Sequence, residues 1–151
     1  MNLKLKPSDI FALVAAIDPQ SNAAAATKTT DWVDTSIFPS IMAALLVGAI
    51  TSTGKVDAKL VQSKTSGDSD SSKKDVTGKT ITQLTESGTD SNKQALINCF
   101  AEELDINNGF RYVALEVTNT TAAALVGAAI FGIARYNPAS DNDVASVDEI
   151  V

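Results

Sequence analysis

The chain has 151 residues, a net charge of −6 and no histidine, and 44% of its residues are apolar. A chain of this length forms about one domain with a hydrophobic core. Its acidic balance and scattered basic residues argue against nucleic acid or a membrane surface as a partner, because both are bound through clustered lysine and arginine. Without histidine the commonest proton shuttle and zinc ligand are missing, so we expect no enzyme activity, no metal site and no cofactor.

The first thirty residues differ in pattern from the rest of the chain. The apolar run from Ile10 to Ile17 is too short and too closely preceded by Pro7 for a convincing secretory signal. Ser8 or Asp9 could cap a short helix over "IFALVAAI". Residues 1–30 are therefore interpreted either as an N-terminal arm that reaches a neighbour or as a first strand or helix packed on its own domain. The arm's contact residues would be Leu3, Leu5, Ile10, Phe11 and Leu13.

From residue 31 the pattern predicts strands. The brief "DWVDTSIF" is followed by "SIMAALLVGAI", a near-continuous apolar run typical of a strand buried on both faces. "KVDAKLVQS" alternates, and it should turn Val56, Ala58 and Leu60 toward the core.

The stretch at 63–75 is the most polar of the chain and predicts a surface loop. Its "GDSDSS" offers Asp68 and Asp70 as possible calcium ligands. The later bidentate glutamate of a calcium loop is missing, however, so a solvated loop is the preferred interpretation.

Strand patterns continue through "VTGKTITQLT" and "QALINCFAEEL", although the second segment also contains good helix formers. Cys99 is the single cysteine; it cannot form an internal disulfide, and its apolar setting predicts a buried, inert thiol. Asn107-Asn108-Gly109 is a turn signature. It leads into the strand "GFRYVALEVTN", and "ALVGAAIFGIARY" is the last strand.

Short strands with turns about every ten residues predict an all-β fold, an antiparallel β-sandwich of jelly-roll or immunoglobulin-like type with an N-terminal arm or short helix. A small barrel is the alternative. The expected organisation is an extension over 1–30, the sandwich over 31–138 and an acidic tail over 139–151. The apolar runs at 41–50 and 122–134 are shorter than the ~20 residues of a membrane helix.

A few side chains are candidates for catalysis or binding. The carboxylate pairs Glu102 with Glu103 and Asp31 with Asp34 could act as acid and base, but in an acidic chain they are interpreted as solvated surface. Trp32, the single tryptophan, is interpreted as a plug at the end of the sandwich or as part of an adhesive surface.

Three segments, in this order, resemble small proteins encoded near the major capsid gene of tailed bacteriophages. They are "WVDTSIFPSIMAALLVGAIT", "VDAKLVQSKTSGDSDSSKKDVTG" and "FRYVALEVTNTTAAALVGAAIFGIARYNP", and together they span about residues 31–138. The chain departs from the pattern at Lys64, where the family often has an acidic residue.

The resemblance implies a virion structural protein, a capsid decoration or cement protein on the outer surface of an HK97-type shell, assembled in the host cytoplasm. Its partners would be the major capsid protein and copies of itself, as a homotrimer or homodimer, with no nucleic acid or membrane. Arg111 would meet a carboxylate and Tyr112 would close a sheet edge. The alternatives are a receptor- or glycan-binding sandwich on the virion and a head–tail joining or tail protein.

Overall fold

The computed structural model describes residues 6–67, 69–136 and 143–151. Within these ranges one short helix, two single turns of 3-10 helix (Ala101–Glu103 and Ile106–Asn108) and ten strands are present. The elements are α1 (Pro7–Ile10), β1 (Phe11–Asn22), β2 (Thr27–Thr29), β3 (Val33–Asp34), β4 (Ser40–Ile50), β5 (Lys55–Ser63), β6 (Lys74–Thr80), β7 (Leu84–Thr85), β8 (Gln94–Phe100), β9 (Tyr112–Thr120) and β10 (Ala124–Ile133).

The strands form two antiparallel sheets. Sheet A has the order β1-β10-β4-β8, and sheet B has the order β2-β9-β5-β6, with β3 added on β9 and β7 on β5. Strands from the two ends of the chain pair in turn: β1 with β10, β2 with β9, β4 with β8, and β5 with β6. This is the pairing of one long hairpin rolled into two layers, the jelly-roll form of the β-sandwich. The predicted fold class is confirmed.

The hydrophobic core lies between the two sheets. Val56, Ala58 and Leu60 of β5 are at most 1% exposed, as the alternation predicted. Leu45 of β4 and Leu115 of β9 are buried to the same degree. Because successive side chains on a strand point to opposite faces, each core strand also presents a second set of side chains outward. Burying a side chain of the size of leucine contributes about 1.5–3 kcal/mol.

The N-terminal segment differs from the predicted helix. The helix α1 ends at Ile10, and "FALVAAI" begins strand β1, which pairs with β10 from Phe11 opposite Ile133 to Asn22 opposite Ala124. Alanine and leucine favour a helix by propensity, but burial of one face against the core decides for the strand. Of the two interpretations of residues 1–30, a first strand on its own domain fits the pairing of β1, and a domain boundary at residue 30 does not.

Two further segments are shorter or more divided than predicted. "DWVDTSIF" contains only the two-residue strand β3, and "QALINCFAEEL" divides into β8 and a turn of 3-10 helix. The predicted turn at Asn107-Asn108-Gly109 ends with a positive φ of 85° at Gly109, a conformation that glycine adopts without steric cost.

Part of the predicted acidic tail contacts the sandwich. The backbone N–H of Leu13 donates to Asp143 Oδ1 at 2.6 Å, and the N–H of Val144 donates to the carbonyl of Leu13 at 2.8 Å. The segment therefore lies along the outer edge of β1. Residues 139–142 of that tail, and Leu3 and Leu5 of the predicted arm, lie outside the described residues.

In the part of the chain that the structure describes, every helix falls short of the length and hydropathy needed to span a membrane.

Candidate binding surface

Apart from Asp18 in the irregular part of β1, the exposed side chains on the four strands of sheet A are uncharged. The strand register aligns them in four rows across β1, β10, β4 and β8. The rows are Phe11, Ile133, Ser40 and Phe100; Leu13, Phe131, Met42 and Asn98; Ala16, Ala129, Ala44 and Leu96; and Gly127, Leu46 and Gln94. We call these fifteen residues the apolar face. Leu96 is 61% exposed and Leu46 is 52% exposed, so large hydrophobic side chains on this face meet solvent.

The burial of β4 differs from the predicted one. "SIMAALLVGAI" predicted a strand buried on both faces, but only one set of its side chains lies in the core: Ile41, Ala43, Leu45, Val47 and Ile50. The intervening side chains belong to the apolar face. An apolar run does not distinguish a strand covered on both sides from a strand with one apolar side in solvent, because both lack charged residues.

The middle of the apolar face is flat because its side chains are small. Ala16, Ala129 and Ala44 lie side by side on three neighbouring strands. Beside them, Gly127 is covered by Pro19 of the β1 bulge, whose Cα would be 3.3 Å from a Cβ at position 127. With strands about 4.8 Å apart and a rise of about 3.3 Å per residue, the four strands and the seven residues of each that the rows span measure roughly 20 Å by 23 Å, on the order of 450 Å². The largest apolar patch on a monomeric protein is commonly about 300–600 Å², and it is often functional.

One end of the apolar face is a groove. It has a volume of about 460 Å³ and lies between Leu13, Met42 and Phe131 of the sheet and Val147 and Ile150 of the C-terminal segment. The groove is lined mainly by apolar side chains, so its chemistry continues that of the face.

The outer face of sheet B is charged and internally paired. Glu116 of β9 is only 8% exposed, and Lys73 Nζ lies 2.5 Å from one of its carboxylate oxygens and Lys59 Nζ 3.9 Å from the other. Lys59 also pairs with Asp75 at 2.7 Å. Side chains on this face therefore bind each other.

The polar loop at 63–75 is organised by one carboxylate. Asp70 accepts hydrogen bonds from the hydroxyls of Ser72 (2.6 Å) and Ser63 (2.7 Å) and from the backbone N–H of Ser72 (2.8 Å) and Lys64 (3.0 Å). These bonds, with the Ser72 hydroxyl contributing most, hold the pKa of Asp70 well below its ordinary value. Asp68, the other possible calcium ligand, lies outside the described residues. Among those described, no cluster of acidic side chains or cysteine is arranged to hold a metal ion.

The carboxylate that the resemblance implies for Arg111 is Asp34. The Arg111 Nε donates to Asp34 Oδ1 at 2.9 Å, and a second guanidinium nitrogen donates to the other oxygen. Partial burial acts to raise the pKa of Asp34, but the hydrogen bonds from Arg111 and Ser36 outweigh it and lower the pKa. The guanidinium also lies 5.1 Å from the centre of the Tyr112 ring. Tyr112 pairs with Asp34 on one side and Ser63 on the other, so its predicted position at a sheet edge is wrong.

Glu102 and Glu103, the second candidate carboxylate pair, have different surroundings. Glu103 pairs with Lys79 at 2.7 Å and accepts a hydrogen bond from the N–H of Phe100 at 2.8 Å. The hydrogen bond from Lys79 is the largest of several influences that lower the pKa of Glu103. Glu102 is exposed.

Cys99 lies on the core side of β8. It is 2% exposed, as predicted from its apolar surroundings. Burial, aided by the nearby Glu103 carboxylate, raises the pKa of the thiol to about 11. The thiolate that reacts with oxidants and alkylating reagents is therefore scarce at neutral pH.

The aromatic side chains that could serve a glycan site are spread over the molecule. Trp32 is half-buried directly before β3 of sheet B, whereas Tyr136 follows β10 of sheet A and is 77% exposed. Tyr112 lies against Arg111.

By its architecture, the protein belongs to the class of antiparallel β-sandwiches. No protein-family model matches the chain, and no curated protein matches it significantly.

Several solved structures share the architecture at low identity. A chain from the structure of infectious bursal disease virus Gx strain has 15% identity and a TM-score of 0.48, over 85% of this chain and 34% of that chain. A chain of the cowpea mosaic virus top component, a naturally occurring empty particle, has 15% identity and a TM-score of 0.41, over 91% and 95%. A chain of the Bacillus endospore appendages, described as disulfide-linked pili, has 17% identity and a TM-score of 0.36, over 89% and 99%.

This chain thus spans about a third of the bursal disease virus chain that it matches. At TM-scores of 0.36 to 0.48 these likenesses carry no argument about function. The fold rests on the strand pairing of this chain itself.

Proposed function

We propose that the protein is a virion structural component, a decoration or cement protein that attaches to the outer surface of an HK97-type capsid shell and stabilises it. The observation that carries the proposal is the apolar face of sheet A, uncharged in all four rows, on a chain with a net charge of −6. The sequence resemblance over residues 31–138 supplies the class of partner.

Attachment through the apolar face explains why its large side chains are kept in solvent. Truncating an exposed leucine costs a sandwich little stability, whereas docking it against a partner removes its surface from water at about 25 cal/mol per Å². Modest contacts of this kind, repeated over many copies on one shell, give strong attachment by multivalency.

Two of the predicted arm residues belong to this surface. Phe11 and Leu13 lie in the first two rows of the apolar face, and Ile10 ends the adjoining helix α1. A contribution of the N-terminal segment to shell contact is part of the proposal, but Phe11 and Leu13 would act from within the sheet.

Co-sedimentation tests the proposed function. The protein is produced together with the major capsid protein of the same virus, and assembled shells are separated on a density gradient. Leu46→Lys places a charge in the apolar face and should remove the protein from the shell fraction. Thr77→Lys, at an exposed position of β6 in sheet B, is the matched control and should remain bound.

Two results would contradict the proposal: shells that band without the wild-type protein, or equal binding by both lysine variants. A further variant without residues 1–5, which leaves β1 intact, separates the contribution of Leu3 and Leu5 from that of the sheet.

A further inference from the structure

The two edges of sheet A differ in whether their outer backbone groups have hydrogen-bond partners. The β1 edge is covered by the hydrogen bonds between Leu13 and residues 143 and 144. At the other edge, β8 pairs with β4 and with no other described strand. β8 extends over seven residues, "QALINCF", without a charge.

The edge strands of sheet B carry charges that discourage pairing with another chain. β6 contains Lys74, Asp75 and Lys79, and the three-residue β2 contains Lys28. Edge strands are usually protected by such charges, by short length or by covering segments. β8 is uncharged and seven residues long, and within the described ranges no strand pairs with its outer edge; Leu96 and Phe100 on it are more than half exposed.

The register shows which backbone groups of β8 are open. Val47 N–H donates to the carbonyl of Lys93 at 3.0 Å, and Ala101 N–H donates to the carbonyl of Pro39 at 2.9 Å. In an antiparallel pair the hydrogen-bonded positions alternate, so odd-numbered residues of β8 direct their N–H and C=O toward β4. Even-numbered residues direct theirs to the free edge.

The open run on the edge is short and bounded. Its C-terminal limit is Phe100, whose N–H already donates to the Glu103 carboxylate at 2.8 Å. The backbone groups left to pair are those of Gln94, Leu96 and Asn98. The same three residues direct their side chains to the apolar face, where an amide, a leucine and an amide follow one another.

This run is self-complementary. When two antiparallel copies are centred on Leu96, Leu96 lies opposite its own copy, and Gln94 lies opposite Asn98 on both sides of the two-fold axis. Every open N–H and C=O of the run then has a partner, an apolar side chain meets an apolar side chain, and amides meet amides.

From this geometry we infer that β8 is the interface between two copies of this chain, which join edge to edge into a two-fold dimer with one continuous eight-stranded sheet. The occupant of the edge is a second copy because the pattern of amide, leucine and amide reads the same in both directions. A groove of about 350 Å³ between β8 and residues 78–81 leaves space beside the edge, and nothing lies within 4 Å of a Cβ at Gly78.

The dimer goes beyond shell attachment and does not depend on it. It joins two apolar faces side by side, so that each dimer presents twice the docking surface. Its formation is measured on the purified full-length chain without shells. Failure of the dimer and failure of shell binding are therefore separate results.

The first experiment is disulfide trapping. Opposed residues of a hydrogen-bonded antiparallel pair have Cα atoms about 5.5 Å apart, within the range that a disulfide spans. Leu96→Cys should form a covalent dimer under mild oxidation. Leu46→Cys, similarly exposed on the neighbouring strand of the same face, is the control and should stay monomeric on a denaturing gel. Equal trapping of both variants would overturn the edge pairing in favour of stacked faces.

The second experiment measures mass in solution by light scattering. The wild-type chain should be a dimer, and Leu96→Lys, which brings two ammonium groups together at the axis, should raise the dimer dissociation constant by about tenfold or more. Leu46→Lys should leave the dimer intact.

Asn98→Pro guards against a variant that merely fails to fold. It removes an N–H that faces the free edge, not one that bonds to β4, and proline is accepted at such edge positions. This variant should be monomeric with a native circular dichroism spectrum. A monomeric wild-type chain, or an Asn98→Pro chain that is folded and still dimeric, would refute the inference.

Discussion

The outer faces of sheet A and sheet B represent opposite uses of the same pleated surface. On sheet B, Lys59 and Lys73 form ion pairs with Glu116, so these charged side chains have their partners on the same face. On sheet A, residues such as Leu46 and Leu96 meet solvent without contributing to the core. A sandwich needs only its inner faces to fold, so the composition of an outer face reflects what the face contacts. The comparison supports the proposal that sheet A is the side that meets partners.

The comparison is tested most strongly by truncating adjacent residues of β4. Leu45→Ala removes a side chain that is 1% exposed and should lower the free energy of unfolding by about 2–5 kcal/mol, because a cavity remains in the core. Leu46→Ala, one residue further on the apolar face, should change it by less than about 0.5 kcal/mol. Urea unfolding measures both. A large loss for Leu46→Ala would mean that the apolar face stabilises the monomer.

A smaller effect is expected on the inner face of sheet A, where the Phe38 ring packs against Gly132. A Cβ at Gly132 would lie 2.6 Å from a ring carbon of Phe38, and that ring is itself buried. Gly132→Ala should therefore lower the free energy of unfolding by about 1–3 kcal/mol through overpacking. Gly67→Ala, where the nearest atom would be 3.9 Å away, is the matched control and should be close to neutral. Thermal unfolding of the two variants distinguishes them.

On sheet B the corresponding test removes a charge. Glu116→Gln should cost about 1–2 kcal/mol, because the ammonium of Lys73 loses a carboxylate partner in a mostly buried position. The loss should shrink in high salt. Asp75→Asn, which removes an exposed partner of Lys59, should change stability by less than about 1 kcal/mol. If both variants behaved alike, the ion pairs of sheet B would not be the source of its self-sufficiency.

The smallest effect is expected on how the stability of the fold depends on pH. The pKa of Asp70 is lower in the folded chain than its ordinary value of 3.8. Its hydrogen bonds therefore stabilise the fold above about pH 4, and this stability is lost as the pH falls through the folded-state pKa. Urea midpoints measured between about pH 6 and pH 2 should fall less steeply for Asp70→Asn than for the wild type. Ser72→Ala, which removes one donor, should give an intermediate slope, and an unchanged slope in both variants would exclude the role of this loop.

The sequence predicted the sandwich because strand alternation is a local signal. Val56, Ala58 and Leu60 could be assigned to the core from nine consecutive letters of β5. The strand β1 could not be assigned with the same certainty, since its partner β10 lies more than a hundred residues away and helix propensity competes locally.

The candidate surface was less accessible to sequence reasoning. The apolar face depends on the register among β1, β10, β4 and β8, which no single segment encodes. The Arg111 ion pair, across 77 positions of sequence, followed only in outline from the family resemblance. The available signal was the alternate set of residues in β4, Met42, Ala44 and Leu46, which is as apolar as the set that enters the core.

The pairing of β1 with β10 has a consequence for how the chain is made. β1, the first of the described strands in chain order, has as its neighbour β10, the last of them. Sheet A therefore cannot close until β10 has left the ribosome, more than a hundred residues after β1, and contacts between residues so distant in sequence slow folding. During synthesis the apolar strands that emerge before β10 remain unpaired, and unpaired apolar strands tend to aggregate. Production of this protein should therefore benefit from slow expression at low temperature and from chaperones that shield such segments.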